Sequence, residues 1–298
     1  MKFPSKELLS LDHIEIIRNI LSRQAVNASD FAIYNLLGWY IDEPPTISEL
    51  DGFYIISVEG PEKTAIFFPP IGEGDISVPL KKLTSENFLH AFHFVPKKIC
   101  DQISLVIKPS QIIEQRNDFD YLYLRTDLSE LAGRRFHQKK NFVNRLMQDE
   151  RLKIQIFQDN VSPLFAYLEK WYAENPSEDI TFRLEYLAAK RMLPLIDKIG
   201  GRIIVVTISG QIAGFSVASP VNDECWVINL EKGDRAIKGI YQLLNWATAN
   251  NLPDSVRIIN RETDLGIEGL RTSKMSYHPI GFEEKYTLNL EAQHVFYQ

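Results

Sequence analysis

The apolar positions change period several times along the chain. Between residues 5 and 25, Leu8, Leu9, Ile14, Ile17, Ile20 and Leu21 recur at three- and four-residue spacings, which predicts an amphipathic helix. The polar stretch Asn27 to Asp30 reads as a cap for a second helix through "FAIYNLLGWY". The period then falls to two. "GFYIISVE", a turn at Gly60-Pro61 and "KTAIFFPP" read as strand, turn and strand. The loop "IGEGD" (71–75) leads to a polar helix near 79–92, and "ISLVIKP" and "DYLYLRTD" read as further strands.

The second half repeats this order. Helices are predicted at 161–174 and about 181–196, followed by "RIIVVTIS" and "QIAGFSVASP" turning at Gly210, and then by "ECWVINL". The loop "LEKGD" (230–234) opens the helix "IYQLLNWATAN", and the strand "SVRIIN" follows. Two copies of one α+β (α/β) fold are expected, residues 1–120 and 121–298. Two unrelated α+β halves are the alternative.

The composition of these 298 residues, 45% hydrophobic and 24% charged, is that of a soluble globular chain with room for roughly two domains. A net charge of −6 argues against broad nucleic-acid binding, which needs a basic surface. Only Cys100 and Cys225 occur, with no CxxC; His90 and His93 lack a third ligand, so no metal site is expected. The longest apolar run, "FAIYNLLGWYI", is about half of a bilayer span. Nothing at the N-terminus has a signal-peptide core. A cytoplasmic protein without stable membrane insertion is expected.

Against the acidic balance, "AGRRFHQKKNFVNRLMQ" (132–148) carries Arg134, Arg135, Lys139, Lys140 and Arg145 and no carboxylate. On a helix, His137, Asn141 and Asn144 form a polar stripe beside Lys140, opposite an apolar stripe of Ala132, Phe136, Val143 and Met147. A solvated face and an anion-binding face both fit. The loop-to-helix turn with Lys232, Gly233, Arg235, Lys238 and Gly239 offers free backbone N–H groups, though the P-loop spacing is absent. The last rich segment, 260–286, packs Arg261, Glu262, Asp264, Arg271, Lys274, Tyr277 and His278 past the end of a predicted strand, where open α/β sheets place ligands. Salt-bridged surface is the plainer account of that density.

The pattern Tyr277-x-x-x-Gly281-Phe282 before "EEKYTLNL" resembles the final helix and strand of the GNAT N-acetyltransferases. The segments 127–146, 231–245, 260–279 and "SDFAIYNLLGWY" (29–40) resemble bacterial proteins related to the C-terminal catalytic domain of phosphatidylglycerol lysyltransferase. That resemblance implies two tandem GNAT-type domains, each a mixed, mostly antiparallel sheet flanked by helices. It also implies acyl or aminoacyl transfer from aminoacyl-tRNA or acyl-CoA to an amine or hydroxyl, without a metal. Glu262 or Asp264 would then position or deprotonate the acceptor, and Tyr277 would protonate the leaving group. Arg134, His137, Lys139, Lys140, Asn141, Asn144, Lys232, Lys238, Gly239, Arg261, Arg271 and Lys274 would hold a phosphate-bearing donor such as a tRNA acceptor end. The first domain would be the inactive copy. The lysyltransferases carry a membrane domain that has no counterpart here, which counts against a lipid acceptor. Lys238 stands where the coenzyme A loop has a glycine, which counts against coenzyme A. A non-catalytic module that binds a charged metabolite or protein is the alternative.

Overall fold

The structure, a computed structural model, describes residues 2–59, 65–85 and 91–290. The first half runs β1 (Glu7–Leu8), α1 (Ile14–Gln24), α2 (Ile33–Gly38), β2 (Thr46–Leu50), β3 (Phe53–Glu59), β4 (Ala65–Phe67), β5 (Ile71–Gly72), α3 (Ser77–Ser85), β6 (Ala91–Pro96), α4 (Lys97–Val106) and β7 (Gln111–Glu114). The second runs β8 (Asp120–Leu124), α5 (Arg125–Glu130), α6 (His137–Met147), β9 (Leu152–Ile156), α7 (Ser162–Glu174), α8 (Ile180–Met192), β10 (Arg202–Ile208), β11 (Gln211–Pro220), β12 (Cys225–Gly233), α9 (Ile240–Asn250), β13 (Ile258–Asn260), α10 (Glu268–Met275), β14 (Gly281–Glu283) and β15 (Lys285–Asn289).

Two sheets form, ordered β1-β2-β3-β4-β6-β15-β7, with β5 also on β3, and β14-β8-β13-β12-β11-β10-β9. Read from β1 and from β9 they share one plan: antiparallel neighbours, then a single parallel pair, β4 with β6 or β12 with β13. One helix, α3 or α9, links the members of each pair. This is the tandem GNAT-like architecture. The segments "IGEGD" and "LEKGD", expected as loops, are largely strand: Ile71–Gly72 is β5 on β3 and Leu230–Gly233 is the end of β12 on β11, and each leads on to that linking helix.

The sheets do not divide at residue 120. Matched strand for strand, β8 is the counterpart of β15 and closes the first copy (β1–β8), yet it lies between β14 and β13 of the second sheet, while β15, which closes the second copy (β9–β15), lies between β6 and β7 of the first. The copies have exchanged their last strands. The first residues of the two exchanged strands meet: Lys285 Nζ is 2.8 Å from Asp120 Oδ1, and both are buried. Asp120 also accepts from Ser29 N (2.7 Å), Ser29 Oγ (2.8 Å) and Asn260 Nδ2 (2.9 Å), and Lys285 pairs with Asp30. The core is shared too, since one cluster joins Leu21, Phe68 and Leu288 to Val205, Phe215 and Val227.

Several predicted elements shift. Ser10 and His13 form a capping box over a 3-10 turn, Leu11–His13, the α-helix follows only from Ile14, and Glu7–Leu8 is extended. The apolar run "ISLV" belongs to α4, not a strand; Ile99, Cys100 and Ile103 bury one face at helical spacing. The polar helix predicted near 79–92 is α3, ending at Ser85. The turn at Gly60-Pro61 and His90 lie outside the described residues. Gly133, at φ 83, precedes a 3-10 turn, so α6 begins at His137; Phe136 and Val143 are buried, whereas Ala132 and Met147 are exposed.

Candidate active site

The parallel pair β12–β13 ends at Val227↔Asn260, yet β12 continues to Gly233. Beyond that point the two strands part. Because β13 no longer covers it, the facing edge of β12 keeps unpaired backbone groups available to a ligand. A cavity of about 960 Å³ fills the parting, walled by residues 228–232 on one side and Arg261, Glu262 and Thr263 on the other. Tyr241 and Gln242 of α9, Lys274 and Tyr277 at α10, and Trp171 and Phe182 of α7 and α8 close it. The first half contributes Asp30, Asn35, Trp39, Tyr40 and Phe94.

Glu262 sits at φ 55, a left-handed conformation that costs a non-glycine residue energy and persists only when its surroundings hold it. Three contacts do so. Its N–H donates to Asn260 Oδ1 (2.7 Å), and Lys274 Nζ donates to the carbonyls on either side, Arg261 O (2.5 Å) and Thr263 O. The carboxylate accepts from Asn35 Nδ2 (2.9 Å), and Asn35 Oδ1 accepts in turn from Asn229 Nδ2 (3.3 Å). Burial pushes the Glu262 pKa up to about 7, against the Asn35 hydrogen bond and the Lys274 charge. Burial likewise brings the Lys274 pKa down to about 8, helped by Arg261, and raises that of Tyr277 to about 12. The Tyr277 ring lies between two cations, Lys139 Nζ at 4.4 Å and the Arg261 guanidinium at 4.7 Å.

Of the residues singled out in the sequence, Lys232, Arg235, Arg261, Glu262, Lys274 and Tyr277 line the cavity, with the Arg235 guanidinium over the Trp171 ring at 5.1 Å. Lys232 is not free for a phosphate: it pairs with Glu185 at 2.7 Å and lies over the Trp171 ring at 4.5 Å. Lys274 is likewise engaged with its two carbonyls. Asp264 is a correction. It is fully buried away from the cavity and accepts from Tyr121 Oη (2.5 Å), Arg271 Nε (2.8 Å) and Gly266 N (2.8 Å). Burial opposes its charge, but those hydrogen bonds hold the pKa well below the usual carboxylate range. Arg271 is spent on the same pair.

Arg134, His137, Lys140, Asn141 and Asn144 are exposed on or just before α6 and do not line the cavity. His137 Nδ1 lies 3.4 Å from Asn141 Nδ2, and Lys140 donates to Glu130 O. Lys139 donates to Ser276 O (2.6 Å), next to Tyr277. Lys238 is exposed with its ammonium over the Phe142 ring, and Gly239 serves packing: at φ +96, a Cβ there would meet Phe142 Cβ at 2.9 Å. Sequence reasoning missed Asn35, Asn229, Glu231 and Glu185. The Asn27–Asp30 cap and the segment 29–40 marked the region of Asn35 without marking its role.

The family model described as "Phosphatidylglycerol lysyltransferase, C-terminal" matches residues 35–289. The chain belongs to this family. A conserved protein of unknown function from Bacteroides thetaiotaomicron has a similar structure, at 27% identity and a TM-score of 0.89 over 96% of this chain and 99% of that one. The C-terminal domain of a protein assigned as a lysylphosphatidylglycerol synthetase in Agrobacterium fabrum shares the fold, at 16% identity and a TM-score of 0.66 over 95% and 93%. An uncharacterized protein of Mycoplasmoides gallisepticum is 26% identical over 178 residues. That match covers 57% of this chain and only 56% of the relative. Among the described residues, no helix is long and apolar enough to cross a membrane, and no group of His, Cys, Asp and Glu could hold a metal.

Proposed function

We propose that this cavity transfers an acyl or aminoacyl group from an activated ester or thioester, aminoacyl-tRNA or acyl-CoA, to an amine or hydroxyl. The observation that carries the reading is Glu262: a carboxylate on the cavity wall, held in a left-handed turn, with a pKa near neutrality. The acceptor attacks the acyl carbon and its proton passes to Glu262. The bond from that carbon to the donor's oxygen or sulfur breaks, and Tyr277 gives the leaving atom a proton. Burial keeps the Tyr277 hydroxyl protonated at neutral pH, and the two cations against its ring stabilise the phenolate that forms. N–H groups on the uncovered edge of β12 are suited to the tetrahedral oxyanion.

The exposed cations Arg134, Lys140 and Arg145 would contact phosphates of a tRNA donor. Lys139, which bridges α6 to the Tyr277 ring, supports that placement. The test is Glu262→Gln, with transfer followed from charged tRNA and from acetyl-CoA. Loss of roughly 10² to 10⁴ in rate with the fold intact is expected for a general base. Unchanged turnover removes Glu262 from the mechanism. Binding without turnover in the parent protein favours the non-catalytic module.

A further inference from the structure

The cavity lies between two walls of unlike chemistry. The second half supplies Glu262, Tyr277 and the uncovered edge of β12, with Arg261 facing Glu231 at 3.8 Å. The first half and the lead-in to β8 supply the rings of Trp39, Tyr40 and Phe94 and the carboxylates of Asp30 and Asp118. Asn35, bonded to Glu262 at 2.9 Å, joins the two walls. In the transfer described above, the acyl carbon belongs at the β12 edge and the leaving atom at Tyr277. An acceptor whose attacking atom sits on Glu262 has the first-half wall to lie against.

That wall carries more negative charge than the protein answers. Among the described residues, the Asp118 side chain makes no hydrogen bond and no ion pair. Asp30 pairs with Lys285, but that ammonium is 1% exposed and is shared with Asp120 behind the wall. The lysines across the cavity are engaged as well: Lys232 pairs with Glu185, and Lys274 donates to two carbonyls. Burial raises the pKa of Asp30 and of Asp118 against the Lys285 charge, and Asp120 raises both further.

Tyr34, one residue before Asn35 on α2, is 2% exposed, and among the described residues its hydroxyl makes no hydrogen bond. Burial lifts its pKa far above the usual phenol range, and Glu185 and Glu262 on the cavity wall add to the rise. Polar groups buried this deep are ordinarily paired. An unpaired oxygen in the field of two carboxylates favours a positively charged donor. Ring faces attract an organic cation, and carboxylates bond its N–H groups. A neutral or anionic acceptor would leave Asp118 and Tyr34 without partners.

We propose that the acceptor is a primary amine bearing a second ammonium or guanidinium group, and that Asp30, Asp118 and the rings of Trp39, Tyr40 and Phe94 bind that second group. The proposal rests on the acyl-transfer reading and names its acceptor class. The attacking nitrogen arrives as the free amine and forms the bond to the acyl carbon. The donor's C–O or C–S bond breaks, the amine's proton passes to Glu262, and Tyr277 protonates the leaving atom. The second cation keeps its charge throughout.

The test is binding of α,ω-diamines and ω-aminoalkylguanidines of graded length, each against the monoamine of the same length, by calorimetry and thermal shift on the whole chain. At least one dication should bind and raise Tm, with its monoamine at least about tenfold weaker, as loss of a hydrogen bond to a charged group predicts. Asp118→Asn, nearly the same in shape, should lose at least about tenfold for the dication and leave monoamine binding unchanged. Tyr34→Phe should weaken the dication too, and the unliganded Tm reports whether either variant folds. Equal binding of dication and monoamine, full binding by Asp118→Asn, or no binding by any dication would overturn the assignment. So would a dication that binds and blocks transfer to another acceptor without being acylated itself. If the parent protein acylates a hydroxyl or a monoamine while no dication binds, this inference falls and acyl transfer stands. Dication binding that needs Asp118, with turnover indifferent to Glu262→Gln, gives the reverse.

Discussion

The two copies carry the same backbone device and opposite contents. In the second half the last parallel pair is Val227↔Asn260, and two residues on, Glu262 turns left-handed at φ 55. In the first half the parallel pair is Phe67↔Phe92, and two residues on, Phe94 turns left-handed at φ 54. By this register Phe94 stands for Glu262 and His93 for Arg261. The parting in the second half is an open cavity. In the first it is packed with rings: Phe68 is fully buried, 5.4 Å from Phe94 and edge-on to Phe31 and Tyr40 at 5.6 and 6.3 Å. The kink that strains a catalytic candidate in one copy holds a hydrophobic plug in the other. The plugged copy still serves the open one, because Asn35 and the face of Phe94 reach the shared cavity.

The comparison can be broken most severely at the strand exchange. Lys285→Met leaves Asp120 and Asp30 buried without their cation and is expected to cost about 3–5 kcal/mol in urea unfolding. A loss under about 1 kcal/mol would mean the pair does not lock the exchange. Phe68→Ala should come next, at about 3 kcal/mol, because the emptied slot is walled by other rings that cannot collapse fully. A near-neutral result would show that the plug is not packed as described.

Glu262→Gln sharpens the contrast through stability. The folded pKa of Glu262 is raised from 4.5 to about 7, so the folded state resists losing this proton. Its destabilising effect is absent well below pH 4.5, grows as pH rises, and is complete above about 7. The glutamine variant should therefore melt higher than the parent at pH 8 and together with it at pH 4. Equal melting at both pH values would contradict the burial of the charge. The smallest effect is expected from Asn35→Ala. Losing a hydrogen bond that favours the carboxylate should move the rising limb of the pH–rate profile upward by about one unit. An unmoved limb with a lower plateau would assign Asn35 to packing instead.

Much of this site was legible where its parts are contiguous. Arg261, Glu262, Lys274 and Tyr277 fall in one segment past the end of a strand, and the general rule about strand ends located them. The same rule overreached at Asp264 and Arg271, where dense mixed charge was an internal ion pair after all. Asn35 lies 227 residues from Glu262 in sequence, and Glu231 gains meaning only opposite Arg261. No local pattern encodes such a meeting. "ISLVIKP" was misread because a short apolar run looks alike in a buried strand and on a helix face. The basic helix was read as one with the site, whereas only Lys139 touches it. Alternation located β8 as a strand and the GNAT-like pattern marked β15, but neither says which sheet a strand will join.

The exchange of those strands also dictates an order of events during synthesis. β6 and β7 of the first sheet cannot close on each other, since the place between them belongs to β15, some 170 residues later than β7 in the chain. Until that strand emerges, the first-made half keeps two open edges that invite pairing with other chains. The sheet of the earlier half thus closes only after the strands of the later half have been made.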